Sequence, residues 1–161
     1  VTFRGNVQTR LRKLEEGIVA ATFLALAGLH RLKLEPAGMC VLEPEEMLPA
    51  VAQGAIGIEC RENDARVLGF LDVLDDAQTR LRVESERALL MVLDGSCRTP
   101  IAALAELDGD RLRLRGAIAR PDGSDLMEIE RRGSRSDGVA MGRDAGAELK
   151  SPIGPGFFDT P

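Results

Sequence analysis

Residues 100–119 read PIAALAELDGDRLRLRGAIA, and this stretch decides the fold of the second half of the chain. After the Asp108-Gly109 pair, a leucine, glycine or isoleucine stands at every second position from Leu112 to Ile118. Such alternation is typical of a β-strand with one buried face, and an Asp-Gly pair between two such runs favours a tight hairpin. The sequence therefore predicts two antiparallel strands, at residues 100–107 and 111–119.

The same signals extend the hairpin into a meander flanked by helices. A second pair, Asp122-Gly123, predicts a turn into a third strand at about 125–132. The spacing of apolar residues predicts one helix over about 78–93 and another over about 136–149, the latter packing Val139 and its alanines on the sheet. The prediction is a small α+β domain, in which helices cover a three-stranded antiparallel sheet.

The first half of the chain carries the signals of an α/β arrangement. Asn6 is suited to cap a helix that has an apolar stripe and stops at Gly17. The uncharged run at 19–27 favours a buried parallel strand, with a buried helix as the alternative. Residues 55–60 are strand-like, and apolar spacing predicts a helix over about 62–74. The expected fold class is α/β for this half and α+β for the second.

Composition and charge argue against several classes of function. Of the 161 residues, 44% are hydrophobic and 29% are charged, as in ordinary globular proteins. The net charge of -5 argues against general nucleic-acid binding, and no apolar run reaches the roughly 18 residues that span a bilayer. Three cysteines without C-x-x-C spacing, and the single histidine His30, disfavour a structural zinc site. We expect a reduced, cytoplasmic protein that binds no metal and no membrane.

A group of cations precedes the first acidic residue. Before Glu15 the sequence has Arg4, Arg10, Arg12 and Lys13, around the start of the first predicted helix. Free backbone N–H groups and the helix dipole favour anions at such a start, and arginine binds a carboxylate or phosphate through two hydrogen bonds. Arg4 and Arg10 are candidates for an anion site, although the charge pattern alone favours a solvated basic face.

Two further positions are candidates for chemistry. Arg31 lies just beyond the predicted strand at 19–27, where open α/β sheets usually place ligands, although a surface residue on a short helix is an equal alternative. Cys97 lies between a predicted helix and a predicted strand, next to Arg98, whose charge favours the nucleophilic thiolate. Chemistry alone favours an inert, half-buried cysteine at Cys97.

Several longer motifs, taken in order, resemble those of porphobilinogen deaminases. They are RGNVQTRLRKL from Arg4, ALAGLHRL from Ala25, LPAVAQGAIGIECR from Leu48, ERALL from Glu86, GSCRTPI from Gly95 and PDGS from Pro121. The resemblance continues to about Lys150 and covers nearly the whole chain. Departures are Ala52 and Lys33, where glycine is common in the family, and Ala20, where aspartate is common.

The resemblance implies an enzyme of haem biosynthesis, also called hydroxymethylbilane synthase. It joins four porphobilinogen molecules and releases ammonia at each step, and its product grows on a dipyrromethane cofactor held by a thioether. By motif position, the attachment residue in this sequence is Cys97. Arg4, Arg10 and Arg31 match arginines that bind the acidic groups of the cofactor and the growing pyrrole chain, and Gln53 matches a glutamine that lines the cleft. Members of this family are usually monomeric.

The resemblance also implies a division of the chain. Residues 1–49 resemble the second half of domain two, and 50–75 resemble the hinge and the strand and helix that return to domain one. Both belong to a partial, periplasmic-binding-protein-like α/β portion. Residues 76–150 resemble the cofactor-bearing α+β domain three, and 151–161 are expected to be a flexible tail. Because the chain opens at Val1 inside a motif, we expect a fragment that lacks the family's catalytic aspartate and is inactive alone. Association with the missing amino-terminal half is a further expectation.

Two other classes of function remain open from the sequence. One is a non-catalytic anion-binding or regulatory module, in which the arginines bind a metabolite and Cys97 is incidental. The other is a purely structural fragment that dimerises through exposed surfaces. The intact mass separates these classes, because only a deaminase-like protein carries a dipyrrole adduct.

Overall fold

The computed structural model describes residues 3–95 and 99–159. The chain forms two compact units, Val1–Glu43 and Pro44–Pro161. The predicted division into domain two, hinge, domain three and tail stays a prediction. Within the described ranges, no helix is both long and apolar enough to cross a membrane.

The first unit contains two short helices joined by a loop. Helix α1 spans Val7–Glu15 and helix α2 spans Leu26–Leu32. Asn6 caps α1 as predicted, because its Oδ1 accepts a hydrogen bond from the Thr9 N–H at 2.9 Å. Leu29 is the only fully buried side chain among the described residues of this unit. The first unit therefore has little core of its own.

The second unit is built around one antiparallel sheet. Its helices are α3 (Ala65–Leu71, followed by a 3-10 turn at Asp72–Leu74), α4 (Ala77–Val92) and α5 (Gly138–Lys150), and its strands are β1 (Ile101–Asp108), β2 (Arg111–Ala119) and β3 (Leu126–Ser134). The strands are neighbours in the order β1-β2-β3, each antiparallel to the next. The predicted α+β meander is confirmed, with strand ends within two residues of the prediction.

The first hairpin follows from the predicted turn signal. Asp108 pairs with Arg111, so the turn begins at Gly109, which has a φ of 57°. Glycine adopts this left-handed conformation without the clash that a Cβ would introduce. The leucines and the isoleucine of β2 are buried and form the core together with apolar residues of α4 and α5.

Helix α5 packs against α4 through glycines. Gly138, Gly142 and Gly146 recur at every fourth position and so lie on one face of α5. A Cβ on Gly142 would lie 2.2 Å from the backbone oxygen of Ser85 in α4, so only glycine permits this approach. Val139 lies one position further around the helix and is 37% exposed. The prediction that Val139 packs on the sheet is therefore wrong.

Two predicted strands, at 19–27 and 55–60, are absent from the structure. A strand is held by hydrogen bonds to a neighbouring strand, and the described part of the chain offers neither run a partner. Their apolar side chains stay exposed, Phe23 by 68% and Ile56 by 91%. The last two residues of the first run, 26–27, begin α2.

The last described residues, 151–159, contribute an aromatic side chain to the core of the second unit. Phe157 is 4% exposed and belongs to the core of the second unit. Its ring lies 5.1 Å from that of Phe158 in an edge-to-face arrangement, and the Arg120 guanidinium carbon lies 4.8 Å from its centroid. Phe157 therefore adds to the core that the sheet forms with α4 and α5.

Candidate functional site

Arg10 lies on α1, where the loop that follows the helix returns to it. Its Nη2 donates a hydrogen bond to the Thr22 Oγ1 at 2.8 Å, and its Nε is buried without a hydrogen-bond partner. The guanidinium carbon lies 5.6 Å from the centroid of the Phe3 ring. Arg10, Phe3 and residues 18–23 line one surface pocket. The guanidinium group is thus held by neutral and aromatic groups, and it retains unused N–H donors.

Two more cationic residues adjoin Phe3 and Arg10. The Lys13 Nζ lies 5.6 Å from the centroid of the Phe3 ring and donates a hydrogen bond to the Arg4 carbonyl oxygen at 3.1 Å. Among the described residues, no carboxylate lies within ion-pair distance of Arg4, Arg10 or Lys13. We call these three residues the basic cluster. Lys13 lies beside Phe3, as Arg10 does, and the predicted anion site at Arg4 and Arg10 stays a prediction.

The chemistry of the basic cluster suits a ligand with carboxylate groups. A buried N–H donor without a partner is unfavourable by roughly 1–3 kcal/mol, so an acceptor that reaches the Arg10 Nε is favoured. Helix α1 starts beside the cluster and has no acidic residue in its first turn, which leaves the positive end of its dipole without a counter-charge from that turn. The arrangement can therefore bind and orient an acidic group.

Arg31 lies in a different setting from the predicted one. It belongs to the last turn of α2, rather than following a strand, and it is exposed. Within the described residues it has no hydrogen-bond or ion-pair partner, and no such contact links it to the basic cluster. Arg10 lies on α1 and Arg31 on α2, and the Arg4 carbonyl is tied to Lys13 of α1. Its role as a carboxylate ligand stays a prediction.

Gln53 lies in the second unit, in a tight turn over residues 51–54. Its backbone N–H donates a hydrogen bond to the Ala50 carbonyl at 3.1 Å, and the residue is exposed. Ala50 forms an isolated bridge with Ala102 of β1, which ties the start of the turn to the sheet. The side chain of Gln53 is accessible to a ligand, and its role in a cleft stays a prediction.

Cys97 lies outside the described residues, so its role in cofactor attachment also stays a prediction. The chain just before it is held firmly. The Lys150 Nζ at the end of α5 donates hydrogen bonds to the Val92 carbonyl at 2.8 Å and to the Asp94 Oδ2 at 2.5 Å. Asp94 has a φ of 52°, an uncommon conformation for a residue other than glycine.

The arginines on the sheet differ from the basic cluster because they are paired within the chain. Arg115 of β2 donates from Nη1 to a Glu45 carboxylate oxygen at 2.9 Å and from Nη2 to a Glu106 carboxylate oxygen at 3.0 Å. Its side chain is 10% exposed. Carboxylates of the chain itself neutralise this guanidinium group, so we assign it a structural role.

Sequence reasoning missed the residues that hold Arg10 in place. Thr22 is neutral and lies twelve positions from Arg10, in a run that was interpreted as a strand, so no local signal joined the two. Phe3 adjoins the first motif and was not considered, although an aromatic ring beside two cations is a recognised contact. His30, Cys40 and Cys60 do not add a metal site: within residues 3–95 and 99–159, no three His, Cys, Asp or Glu side chains are grouped suitably.

Two family models match consecutive parts of the chain. Residues 1–69 match the family described as "Porphobilinogen deaminase, dipyromethane cofactor binding domain". Residues 80–151 match the family described as "Porphobilinogen deaminase, C-terminal domain". The basic cluster, Arg31 and Gln53 fall within the first match, and Cys97 falls within the second.

Curated relatives agree with both matches. A porphobilinogen deaminase of Paracoccus denitrificans is 58% identical over 159 residues, which cover 99% of this chain and 51% of the relative. A chloroplastic porphobilinogen deaminase of Oryza sativa is 56% identical over 163 residues, covering 99% of this chain and 46% of the relative. A porphobilinogen deaminase of Nitrobacter hamburgensis is 49% identical over 155 residues, which cover 96% of this chain and 49% of the relative. The chain spans about half the length of the curated relatives it matches.

Proposed function

This chain belongs to the porphobilinogen deaminase family, and we propose that it forms the carboxy-terminal portion of an enzyme that joins four porphobilinogen molecules into hydroxymethylbilane, releasing ammonia. In this proposal the chain supplies the attachment cysteine, Cys97, and part of a cleft that binds carboxylates. The basic cluster carries the proposal, because Arg10 combines a buried, unsatisfied donor with the lack of a carboxylate partner among the described residues.

The basic cluster fits an acidic pyrrole cofactor. A dipyrromethane built from porphobilinogen carries acetate and propionate groups, which are anions at neutral pH. When bound, the cofactor supplies the pyrrole end to which new units are added. Arg10, held by Thr22 and Phe3, would orient one acidic group, and Lys13 adds positive charge at the same Phe3 ring. The support for Arg4 is its position in the first motif. Little ordering of Arg10 would then be needed on binding, which favours affinity.

Three further residues complete the proposed division of labour. Cys97 anchors the cofactor through a thioether, which keeps it attached through repeated turnover. Arg31 contributes another cation for the carboxylates of the growing chain, and Gln53 lines the cleft. The support for these roles is their position in motifs that resemble those of the family, since Cys97 lies outside the described residues and Arg31 and Gln53 are exposed.

The proposal assigns no catalytic acid or base to this chain. The family aspartate that handles the pyrrole nitrogens belongs to a part of the relatives that this chain does not span. We therefore propose that the chain is inactive alone and completes a periplasmic-binding-protein-like α/β portion together with an amino-terminal half. A cytoplasmic location belongs to the same proposal, although the Oryza relative is named chloroplastic.

The test joins this chain to the amino-terminal half of the Paracoccus relative. We expect the chimera to consume porphobilinogen and to carry a dipyrrole adduct that peptide mapping places on Cys97. The chain expressed alone should show the mass of the bare sequence, because half of the cleft that holds the electrophile near the thiolate is missing. A chimera that binds porphobilinogen without adduct or turnover would favour the non-catalytic anion-binding module instead.

Two serine variants make the test specific to one thiol. Cys97→Ser should remove both the adduct and the turnover from the chimera. Cys40→Ser is the matched control, because Cys40 is a free, exposed cysteine in the same chain, and this variant should keep both. An adduct that persists in Cys97→Ser would contradict the assignment of the attachment residue.

A further inference from the structure

The turn that carries Gln53 is attached to the outer edge of the sheet. Strand β1 is an edge strand, paired with β2 on one side only. On its other side, the Ala103 N–H donates a hydrogen bond to the Pro49 carbonyl at 3.1 Å, and Ala102 bridges to Ala50. Residues 49–50 thus cover one part of the edge, and the chain then leaves it in the turn at 51–54.

Glu86 of α4 occupies the next position along this edge. Its Oε1 accepts a hydrogen bond from the Ala105 N–H of β1 at 2.8 Å, and its Oε2 accepts one from the Ala52 N–H in the turn at 2.7 Å. The residue is 6% exposed. One buried carboxylate therefore joins three elements: the helix that carries it, the edge strand and the turn.

Ala52 needs such a bond because of its backbone conformation. Its φ is 57°, the left-handed region that glycine adopts freely and that a Cβ makes unfavourable. Alanine stands at this position, where such a φ usually calls for glycine. The bond from the Ala52 N–H to Glu86 holds a residue that the turn would otherwise tend to release.

Burial of Glu86 is unfavourable for its charge, in spite of these bonds. Desolvation raises the pKa of the Glu86 carboxyl above its usual value, while the bonds from Ala105 and Ala52 and the charge of Arg82 act in the opposite direction. A buried carboxylate whose pKa is raised in this way does not add to stability as an ion at neutral pH. Such groups are concentrated at functional sites, which agrees with a role in placing another residue.

We propose that Glu86 is a positioning residue: its carboxylate sets the turn at 51–54 and thereby fixes where Gln53 is presented to the ligand. The proposal rests on the proposed function for the identity of that ligand. The claim that Glu86 sets the turn is independent of the proposed function, because the turn is a property of this chain alone. Glu86 itself touches no ligand and acts through Gln53.

The first test measures amide exchange with solvent in this chain by NMR. The Gln53 N–H reports the turn directly, because it is bonded to the Ala50 carbonyl. We expect Glu86→Gln, which keeps the shape but only one carbonyl oxygen, to speed exchange at Gln53 by ten-fold or more. The control is Glu84→Gln, an exposed neighbour on α4 with the same change of charge, which should leave the Gln53 rate unchanged. An unchanged Gln53 rate in Glu86→Gln overturns the proposal.

A rescue experiment separates positioning from general stabilisation. Adding Ala52→Gly to Glu86→Gln supplies a residue that adopts the turn without the carboxylate, so Gln53 exchange should slow by roughly five-fold or more. If Glu86 only stabilised α4 and β1, Ala52→Gly in the turn would not restore the exchange rate of Gln53. Failure of Ala52→Gly to slow the exchange overturns the positioning role.

The second test measures turnover in the chimera. Glu86→Gln and Gln53→Ala should each lower turnover, and the double variant should be no slower than Gln53→Ala, because both changes remove one contribution. If the losses of turnover from the two changes add in the double variant, Glu86 does not act through Gln53, and the proposal is overturned. Normal turnover in Gln53→Ala removes Gln53 from the proposed function, while the exchange rates still decide whether Glu86 sets the turn.

Discussion

Arg10 and Arg115 each have a buried Nε without a hydrogen-bond partner, and they differ in what surrounds the rest of the guanidinium group. Two carboxylates of the chain hold Arg115, at 2.9 and 3.0 Å. A threonine hydroxyl holds Arg10 at 2.8 Å, and among the described residues no carboxylate pairs with it. An arginine that supports the fold is neutralised by its own chain. One that is held in place by neutral groups keeps its charge for a ligand.

The two units that contain these arginines also differ, in how much of a buried core each one has. In the first, Leu29 is the only fully buried side chain among the described residues, whereas the second has a continuous core across α4, the sheet and α5. Regions that bind ligands are commonly drawn from the less stable parts of a protein. The second unit thus provides rigidity, and the first provides unpaired charge.

Glycine substitutions should produce the largest difference between the units. Gly142→Ala places a Cβ against the Ser85 backbone, so we expect it to lower the free energy of unfolding by about 1–3 kcal/mol in spite of the better helix propensity of alanine. Gly28 lies in α2 of the first unit with open space around it, and Gly28→Ala should be stabilising by about 0.5–1 kcal/mol. Denaturant unfolding followed by NMR signals of each unit measures both. A larger loss from Gly28→Ala would break the comparison.

Removing the paired arginine should affect stability to an intermediate degree. Arg115→Met keeps the buried stem and removes the bonds to Glu45 and Glu106, whose side chains are exposed by 65% and 45% and regain water. We expect a loss of about 1–2 kcal/mol in the free energy of unfolding. The control is Arg132→Met, whose side chain is 62% exposed, and its effect should stay within about 0.5 kcal/mol. Equal effects of the two variants would contradict a special structural role for Arg115.

The smallest predicted effect is a dependence of stability on pH, which arises from Glu130 of β3 and its two arginine partners. Hydrogen bonds from Arg132 and Arg113 lower the pKa of Glu130 from 4.5 to about 2. Because the pKa is lower in the folded state, this stabilisation is present above pH 4.5 and is lost as the pH falls toward 2. The difference in Tm between the parent chain and Glu130→Gln should therefore shrink over that range. A difference in Tm that stays constant as the pH falls from 4.5 toward 2 would argue against the assignment.

Local signals account for what the sequence predicted correctly. Asn6 caps α1, and Gly109 and Gly123 take the positive φ values that their turns require. The meander was recognised because Asp-Gly pairs stand between runs of alternating apolar residues. Each of these features depends on neighbours in the chain, which a sequence displays directly.

The features that were missed depend on contacts between distant residues. The runs at 19–27 and 55–60 have the composition of strands, but pairing requires a partner that composition cannot supply. The Thr22 bond to Arg10 and the Glu86 bond to Ala52 join residues 12 and 34 positions apart. The glycine face of α5 was overlooked because Val139 carried the stronger hydrophobic signal.

The most direct test of the account is turnover by Arg10→Ala and Arg12→Ala in the chimera at limiting porphobilinogen. Both changes remove one arginine from α1, but Arg12 is 67% exposed and lies 3.9 Å from Glu16, which makes it the matched control. If Arg10 binds an acidic group, its loss should be worth roughly 1.5–3 kcal/mol, a decrease of about ten-fold to a hundred-fold in kcat/KM. Arg12→Ala should turn over normally, and neither change should shift the unfolding of the second unit. Normal turnover in Arg10→Ala, or an equal loss in Arg12→Ala, would contradict the assignment of Arg10 as a ligand-binding arginine.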